Sequence, residues 1–188
     1  NHSVMNRIKV LKKRNYSTNE ISVCCLRDED IMPIRDWRNS QIKFLRQTKK
    51  ITKLEQENYY KKVVSKEHSK ANPSQILFSI LKKNVCIGYG GLVHIDWDNK
   101  NSEISFLLKP ELYGKKDTYV KYFCEFLNLI EKVSKEIGLH KIYTFGFDIG
   151  EFRFLPLEKT NFLLEVKLKK HISIARKLKD ILVYSKIL

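Results

Sequence analysis

The chain has 188 residues, of which 43% are hydrophobic and 30% charged, and its formal net charge is +15. This length suits one domain with a sizeable core and is short for two, and the apolar content argues against wholesale disorder. No apolar run approaches the length of a membrane span, and the start, NHSVMNRIKV, lacks the apolar segment of a signal peptide. We therefore expect a cytoplasmic protein with no membrane partner.

The positive charge is spread along the chain, with local excesses in the first fifteen and the last thirty residues. Such a field suits a polyanionic small molecule, for example a nucleotide or a phosphorylated cofactor, as well as it suits nucleic acid. We favour the small molecule over a dedicated nucleic-acid function. The cysteines form no CxxC pair and have no histidine at ligand spacing, so we expect no metal site and four reduced thiols, Cys24, Cys25, Cys86 and Cys124.

The first half of the chain predicts a strand followed by two helices. Residues 1–20 are interpreted as a basic lead-in that is partly disordered or carried over from expression, and residues 21–188 as a single domain. A short strand is predicted at 21–27, and a helix capped by an aspartate follows it. Thr52, with a glutamate three residues later, has the pattern of a capping box and predicts the start of a second helix.

The second half predicts a meander, a long helix and a closing hairpin. Polar turns separate three strand-like segments at residues 74–83, 85–97 and 101–109. Apolar residues then recur at three- and four-residue spacing from Tyr119 to Ile137, and Gly138 stands where the helix should end. A further strand, a short helix and a hairpin complete the order β-α-α-β-β-β-α-β-α-β-β, which indicates an α/β or α+β fold.

The stretch LLKPELYGKKDTY, residues 107–119, joins the last meander strand to the long helix. A loop that leads into a helix presents free backbone N–H groups and the positive end of the helix dipole to phosphate. Gly114 permits close backbone approach, and Lys109, Lys115 and Lys116 add positive charge. The alternative is a plain turn that carries solvated lysines.

This order of elements resembles the GNAT superfamily of acetyl-CoA-dependent N-acetyltransferases over residues 21–188. Four parts of the chain carry the resemblance: IRDWRNSQIKFLRQ (34–47), IGYGGLVHIDWDNKNSEISFLL (87–108), KPELYGKK (109–116), and LEKTNFLLEVKLKKHI (157–172) with KDILVYSKIL (179–188). The resemblance implies a mixed, mostly antiparallel sheet with helices on both faces. It also implies acetyl-CoA as co-substrate, no metal, and direct attack by an amine without an acyl-enzyme.

The resemblance also implies which residues bind the cofactor: Phe106, Leu107, Leu108, Lys109, Leu112, Tyr113, Gly114, Lys115, Lys116, Asp117 and Lys159. One backbone N–H near Leu108 is expected to polarise the thioester carbonyl. The chain departs from the family pattern at several positions. Glu111 stands in place of glutamine or arginine, Lys116 in place of a second glycine, and Asn161 in place of the glycine before a phenylalanine. Leu157 replaces the tyrosine that in many relatives protonates the departing thiolate.

The strand register predicts a catalytic base. If residues 98–101 form the hairpin loop, Asp96 faces Glu103 and His94 faces Ser105 on one side of the sheet. Two close carboxylates raise the pKa of one of them, and a histidine can share its proton. We predict Glu103 as the base or its water-relay partner, with His94 as its rival and Asp96 orienting the substrate. The alternative is an ordinary polar strand end.

A candidate acceptor site lies in DWRNSQIKFLRQ and consists of Trp37, Arg38, Asn39, Arg46 and Gln47. An arginine suits a diphosphate and an aromatic ring can stack on a base or sugar; alternatively, Trp37 is core and Arg38 solvated. The resemblance favours amino-sugar acetyltransferases of the pseudaminic-acid type, with a small-molecule amine, specifically a nucleotide-linked amino sugar, as acceptor. A protein N-terminus or ribosomal protein is the second choice. A non-catalytic basic binding module on the same scaffold is the alternative of another class, and a homodimer is left open.

Overall fold

The computed structural model describes residues 7–42, 47–150 and 152–188. Within these ranges, eight strands form one sheet in the order β1-β2-β3-β4-β5-β6-β8-β7. The elements, in chain order, are β1 (Asn15–Ser17), β2 (Ser22–Cys25), a 3-10 turn (Asp28–Asp30), α1 (Ile31–Ser40), α2 (Lys53–Tyr59), a π-helical turn (Tyr60–Val64), α3 (Ser65–His68), β3 (Ile76–Lys82), β4 (Val85–Asp96), β5 (Asn101–Leu108), α4 (Pro110–Tyr113), α5 (Lys116–Glu136), β6 (Lys141–Phe147), α6 (Leu155–Lys159), β7 (Leu163–Ile174) and β8 (Lys177–Ile187).

The predicted local signals account for most of these boundaries. The Thr52 hydroxyl accepts the backbone N–H of Glu55 at 3.1 Å, which confirms the predicted cap of α2. The chain leaves α5 through Gly138 at φ 85°, a conformation that L-residues with side chains rarely adopt. The meander β3-β4-β5 and the closing hairpin β7-β8 are antiparallel, as predicted.

Residues ahead of the predicted domain start belong to the sheet and the core. β1 pairs with β2, and Ile8, Leu11 and Tyr16 are buried in the main core. Tyr16 also donates to the carboxylate of Glu136 at 2.8 Å, at the end of α5. Residues 7–20 are therefore packed rather than loosely ordered as expected, because the side chains of Ile8, Leu11 and Tyr16 are buried in the main core.

Helices cover both faces of the sheet, as expected for this fold. The main core joins one face to α5, where Phe126 and Ile130 are fully buried. A smaller core joins the other face to α1 and the α2–α3 segment through Ile34 and Val64. No helix in the described part of the chain is long and apolar enough to span a membrane.

The predicted register of β4 and β5 is wrong. Asp96 pairs with Asn101 and Val93 pairs with Glu103, so the hairpin loop begins one residue earlier than predicted and a bulge interrupts β4. His94 lies in this bulge at φ 51°. Because a bulge inserts an extra residue, it turns side chains away from simple alternation, and a count of strand positions cannot place them.

β5 and β6 are parallel and separate after three residue pairs. Pairing runs from Asn101 with Lys141 to Glu103 with Tyr143 and stops there, although both strands continue. From Ile104 onward the edge of β5 that faces away from β4 therefore has no strand partner. The divergence opens a wedge in the middle of the sheet, and the candidate site lies in this wedge.

Candidate active site

A cleft of about 770 Å³ occupies the wedge between β5 and β6. Its lining includes the segment Ile104–Leu107 of β5, the segment Thr144–Phe147 of β6 and the loop 47–51 before α2. It is open at its mouth and receives both apolar and polar side chains. The cleft therefore has room for an elongated cofactor along the strands and for an acceptor at the loop.

Glu103 and His94 meet in this cleft. The Glu103 side chain is only 5% exposed, whereas that of His94 is 71% exposed, and His94 Nε2 lies 3.4 Å from Glu103 Oε2. The two groups are close because His94 follows Val93, the strand partner of Glu103, and lies in the bulge at φ 51°. A buried carboxylate beside an exposed imidazole can take a proton from a bound ammonium group and pass it to solvent.

Asp96 does not join this pair. Its carboxylate accepts the backbone N–H of Asn99 at 2.8 Å and the side-chain amide of Asn99 at 2.9 Å, closing the β4–β5 turn. These hydrogen bonds lower the pKa of Asp96. The predicted cluster of two carboxylates is therefore absent among the described residues, because the observed register moves Asp96 opposite Asn101.

The backbone of β5 supplies hydrogen-bond donors to the wedge. Lys109 N–H donates to the Ile87 carbonyl at 2.8 Å, so the alternation of an antiparallel ladder directs the N–H of Leu108 away from β4. The Leu108 carbonyl accepts the buried side-chain amide of Gln41 at 3.1 Å, which fixes the end of the strand to the end of α1. Sequence reasoning missed Gln41, since nothing in its local pattern shows this long-range contact.

The connection between α4 and α5 has the features that a phosphate group needs. Lys115 is the N-cap of α5 and makes no side-chain cap hydrogen bond, so the first-turn amides of the helix have no capping side chain. Gly114 has φ −81°, and a Cβ built there would meet nothing within 4 Å. The protein's own packing thus does not require this glycine, and the space beside it is open.

The predicted cofactor residues lie in three places. Phe106, Leu107 and Tyr113 line the main cleft. Lys116, Asp117 and Lys159 instead line a shallower depression between α5 and α6. The remaining predicted cofactor residues lie along the path between β5 and α5, and they are Leu108, Lys109, Leu112, Gly114 and Lys115.

Arg153 is a cleft residue that sequence reasoning missed. Its guanidinium donates to the Tyr113 carbonyl at 2.7 Å and lies 3.7 Å from the centre of the Tyr113 ring. It also stacks against Phe152 and Tyr119. These contacts fasten the segment before α6 to α4 across the cleft, and they leave a cation at the cofactor end. The sequence around Arg153 predicted only a short helix or turn.

Leu157 forms an apolar wall where many family members have a tyrosine. It is 1% exposed and belongs to the main core. Three tyrosines line the cleft, Tyr89, Tyr113 and Tyr119, and burial raises the pKa of each, so all three hydroxyls keep their protons. Asn161, which replaces a family glycine, adopts φ 68°, a conformation that asparagine tolerates better than most residues.

The predicted acceptor residues have different positions. Arg38 and Gln47 line the cleft, whereas Trp37 packs on the smaller core. Asn39 holds the loop 47–51 against α1. It exchanges two hydrogen bonds with the backbone of Ile51 at 2.8 and 2.9 Å and accepts a hydrogen bond from Gln47 Nε2 at 3.0 Å. Arg46 lies outside the described residues. The loop 47–51 also brings two exposed lysines to the cleft, Lys49 and Lys50.

None of the four thiols is placed to act as a nucleophile. Burial raises the pKa of each, to about 12 for Cys25 and Cys86, and none lines the main cleft as described. In ranges 7–42, 47–150 and 152–188, no group of three or more His, Cys, Asp or Glu side chains could hold a metal ion.

The mixed eight-strand sheet, with helices on both faces and a cleft where β5 and β6 diverge, has the fold of the GNAT acetyltransferases. Residues 23–175 match the family model for the acetyltransferase (GNAT) domain. The chain therefore belongs to the GNAT family and is an acetyl-CoA-dependent N-acetyltransferase, with acetyl-CoA as its co-substrate. No curated protein matches the chain in sequence.

Solved structures share the fold at low sequence identity. Spermidine N-acetyltransferase from Vibrio cholerae, in complex with CoA and spermine, is 18% identical with a TM-score of 0.77, covering 90% of this chain and 96% of its own. A dodecameric structure of the same enzyme in an intermediate state is 18% identical with a TM-score of 0.72, and the match covers 90% of this chain and 95% of that one. A GNAT-family acetyltransferase from Bacillus anthracis is 16% identical with a TM-score of 0.71, covering 92% and 98%.

Proposed function

We propose that the protein acetylates a primary amine that carries phosphate groups, such as a nucleotide-linked amino sugar. The observation that supports this acceptor is the charge at the loop end of the cleft. Arg38, Lys49 and Lys50 line it, against Glu55 and the buried Glu103. An arginine and two lysines attract a diphosphate and repel a polycation such as spermidine.

In the proposed reaction the acceptor amine attacks the acetyl thioester directly, within one complex that holds both substrates. Acetyl-CoA supplies the activated acetyl group. Glu103 accepts the proton of the acceptor ammonium, and His94 passes it toward solvent. The N–H of Leu108, directed into the wedge, donates to the carbonyl oxygen as negative charge develops there.

Cofactor binding in this proposal uses the opposite end of the cleft. The uncapped amides at the start of α5 face the pyrophosphate, and Arg153, Lys115 and Lys116 supply positive charge. Tyr113 keeps its hydroxyl proton, since burial raises its pKa, and it can donate to the departing sulfur. Tyr113 thus takes the role of proton donor, for which Leu157 has no hydroxyl group.

The test is acetyl transfer to three amines, followed by release of free coenzyme A: a nucleotide-linked amino sugar, the corresponding free amino sugar and spermidine. We expect the nucleotide-linked amine to have the highest kcat/KM, by roughly tenfold or more, which corresponds to about 1.4 kcal/mol of binding to the cations. Lys49→Ala combined with Lys50→Ala should remove most of this advantage and leave the free sugar nearly unchanged. Preference for spermidine would contradict the proposed acceptor.

A further inference from the structure

The tip of the β7–β8 hairpin is strongly basic and extends beyond the sheet. β6 pairs with β8 only over Ile181–Ile187, so the residues of β8 before Ile181 and their partners on β7 extend beyond the sheet. We define the tip as residues 168–180. It carries one acid, Asp180, and five cations: Lys169, Lys170, Arg176, Lys177 and Lys179.

The one acid of the tip, Asp180, is engaged with the bulge of β7. A bulge places residues 169–171 opposite Asp180, whose carboxylate accepts the backbone N–H of Lys170 at 2.7 Å and lies 3.6 Å from Lys167 Nζ. The hairpin closes through Ala175 and Arg176, at φ 50° and 65°. Across the described ranges, none of the five tip cations forms a salt bridge through its side chain.

These charges do not belong to the active site. No described residue of β7 or β8 lines the main cleft, and none lines the depression between α5 and α6. Exposed lysines and an arginine on a narrow two-stranded ribbon therefore need a different explanation. The sequence shows the excess of charge near the end of the chain, and the fold concentrates it at one projecting point.

We propose that this tip is a docking surface for the phosphate backbone of nucleic acid. Protein interfaces are depleted of lysine at their centres and rely on aromatic anchors, and membrane-surface elements insert Trp, Phe or Leu. The tip has no Trp, Tyr or Phe, and Leu178 is its one strongly exposed apolar side chain among the described residues, at 60%. A two-stranded ribbon also has the width that enters the major groove of duplex DNA. Two copies meeting tip to tip would repel each other.

The experiment measures binding of the full chain to a fluorescent 20-base-pair DNA duplex and to the matching RNA duplex over a range of KCl concentrations. The variant is Lys169→Gln, Lys177→Gln and Lys179→Gln together. The matched control removes three exposed lysines near α3, through Lys61→Gln, Lys62→Gln and Lys66→Gln, with the same change in net charge. Acetyl-CoA affinity and turnover are measured for each protein and should stay unchanged.

We expect the wild type to bind one or both duplexes and the tip variant to bind about tenfold or more weakly, whereas the control changes less than about threefold. Loss of three phosphate contacts should also reduce the slope of log K against log salt by about 3. If the triple variant folds poorly, Lys177→Gln alone should reduce that slope by about 1. Equal weakening by the control variant, or no duplex binding at low salt, would overturn the proposal.

Discussion

The buried Glu103 and the exposed His94 form a pair whose geometry suits proton transfer, and the division of roles follows from exposure. In the proposed mechanism the carboxylate of Glu103 in the wedge meets the substrate ammonium, whereas the imidazole of His94 at the mouth exchanges protons with water. Asp96, which strand counting places with them, closes a turn instead. Substitutions of Glu103 and of Asp96 should therefore have different effects on activity.

Glu103→Gln should lower kcat by about 10²- to 10⁴-fold, because the amide cannot accept the ammonium proton. The affinity for acetyl-CoA, measured by calorimetry, should stay within about twofold, since the change is nearly isosteric. Asp96→Asn is the matched control and should retain near-normal turnover. If Asp96→Asn loses as much activity as Glu103→Gln, the observed separation of the two acids does not describe the working enzyme.

The start of α5 is the element that we assign to the cofactor phosphates, and its lysine takes the position of a family glycine. Lys116→Glu should weaken acetyl-CoA binding by roughly tenfold, because a negative charge would stand beside the pyrophosphate and offset the attraction of the helix N-terminus for it. Lys116→Gly should change the affinity by less than about threefold. Calorimetry gives both values, and Lys132→Glu, an exposed lysine later on the same helix, is the control. A strong effect of the control would show that overall charge, rather than this site, governs binding.

The end of α3 carries a buried histidine that couples stability to pH. His68 Nε2 accepts the backbone N–H of Leu77 at 3.0 Å, so the neutral ring carries its proton on Nδ1, 3.3 Å from Cys25 Sγ. Burial lowers the pKa of His68 from 6.5 to about 4. The unfolded chain therefore binds a proton more readily than the folded one between these values, and stability falls as the pH drops below 6.5.

Between pH 7 and pH 5 the wild type should lose about 2 kcal/mol of unfolding free energy through His68, at about 1.4 kcal/mol per pH unit. Urea unfolding at the two pH values measures the loss. His68→Gln can still accept the Leu77 N–H and does not titrate, so its stability should change less over the same interval. Equal pH dependence in both proteins would show that other groups dominate.

At the scale of the whole molecule, the order of most elements and the antiparallel meander were predictable from apolar periodicity, capping residues and polar turns, which act over a few positions. The helices on both faces of the sheet were implied by the resemblance to the GNAT superfamily. β1 was not predicted because Asn15–Ser17 is too short to show a period, and its order depends on contacts with β2 and α5.

The site was predictable only where a residue's neighbours along the chain fix its place. Glu103 lies in the cleft and Gly114 precedes α5, where the strand and helix patterns predict them. A bulge that no local pattern announces brings His94 to Glu103 by a different register from the predicted one, and it leaves Asp96 at the turn. Arg153, Gln41 and the lysines at 49 and 50 were missed because long-range packing brings them to the cleft. The homodimer stays a prediction.

Direct transfer of the acetyl group to an anionic amine in this cleft is the central step of the proposed function. Mass spectrometry after incubation with acetyl-CoA and a nucleotide-linked amino sugar measures the acceptor and the protein in one sample. We predict an N-acetylated acceptor and a protein whose cysteines carry no acetyl group. An unchanged acceptor in a protein that binds acetyl-CoA, or an acetylated cysteine that passes its group to the amine, would contradict the account.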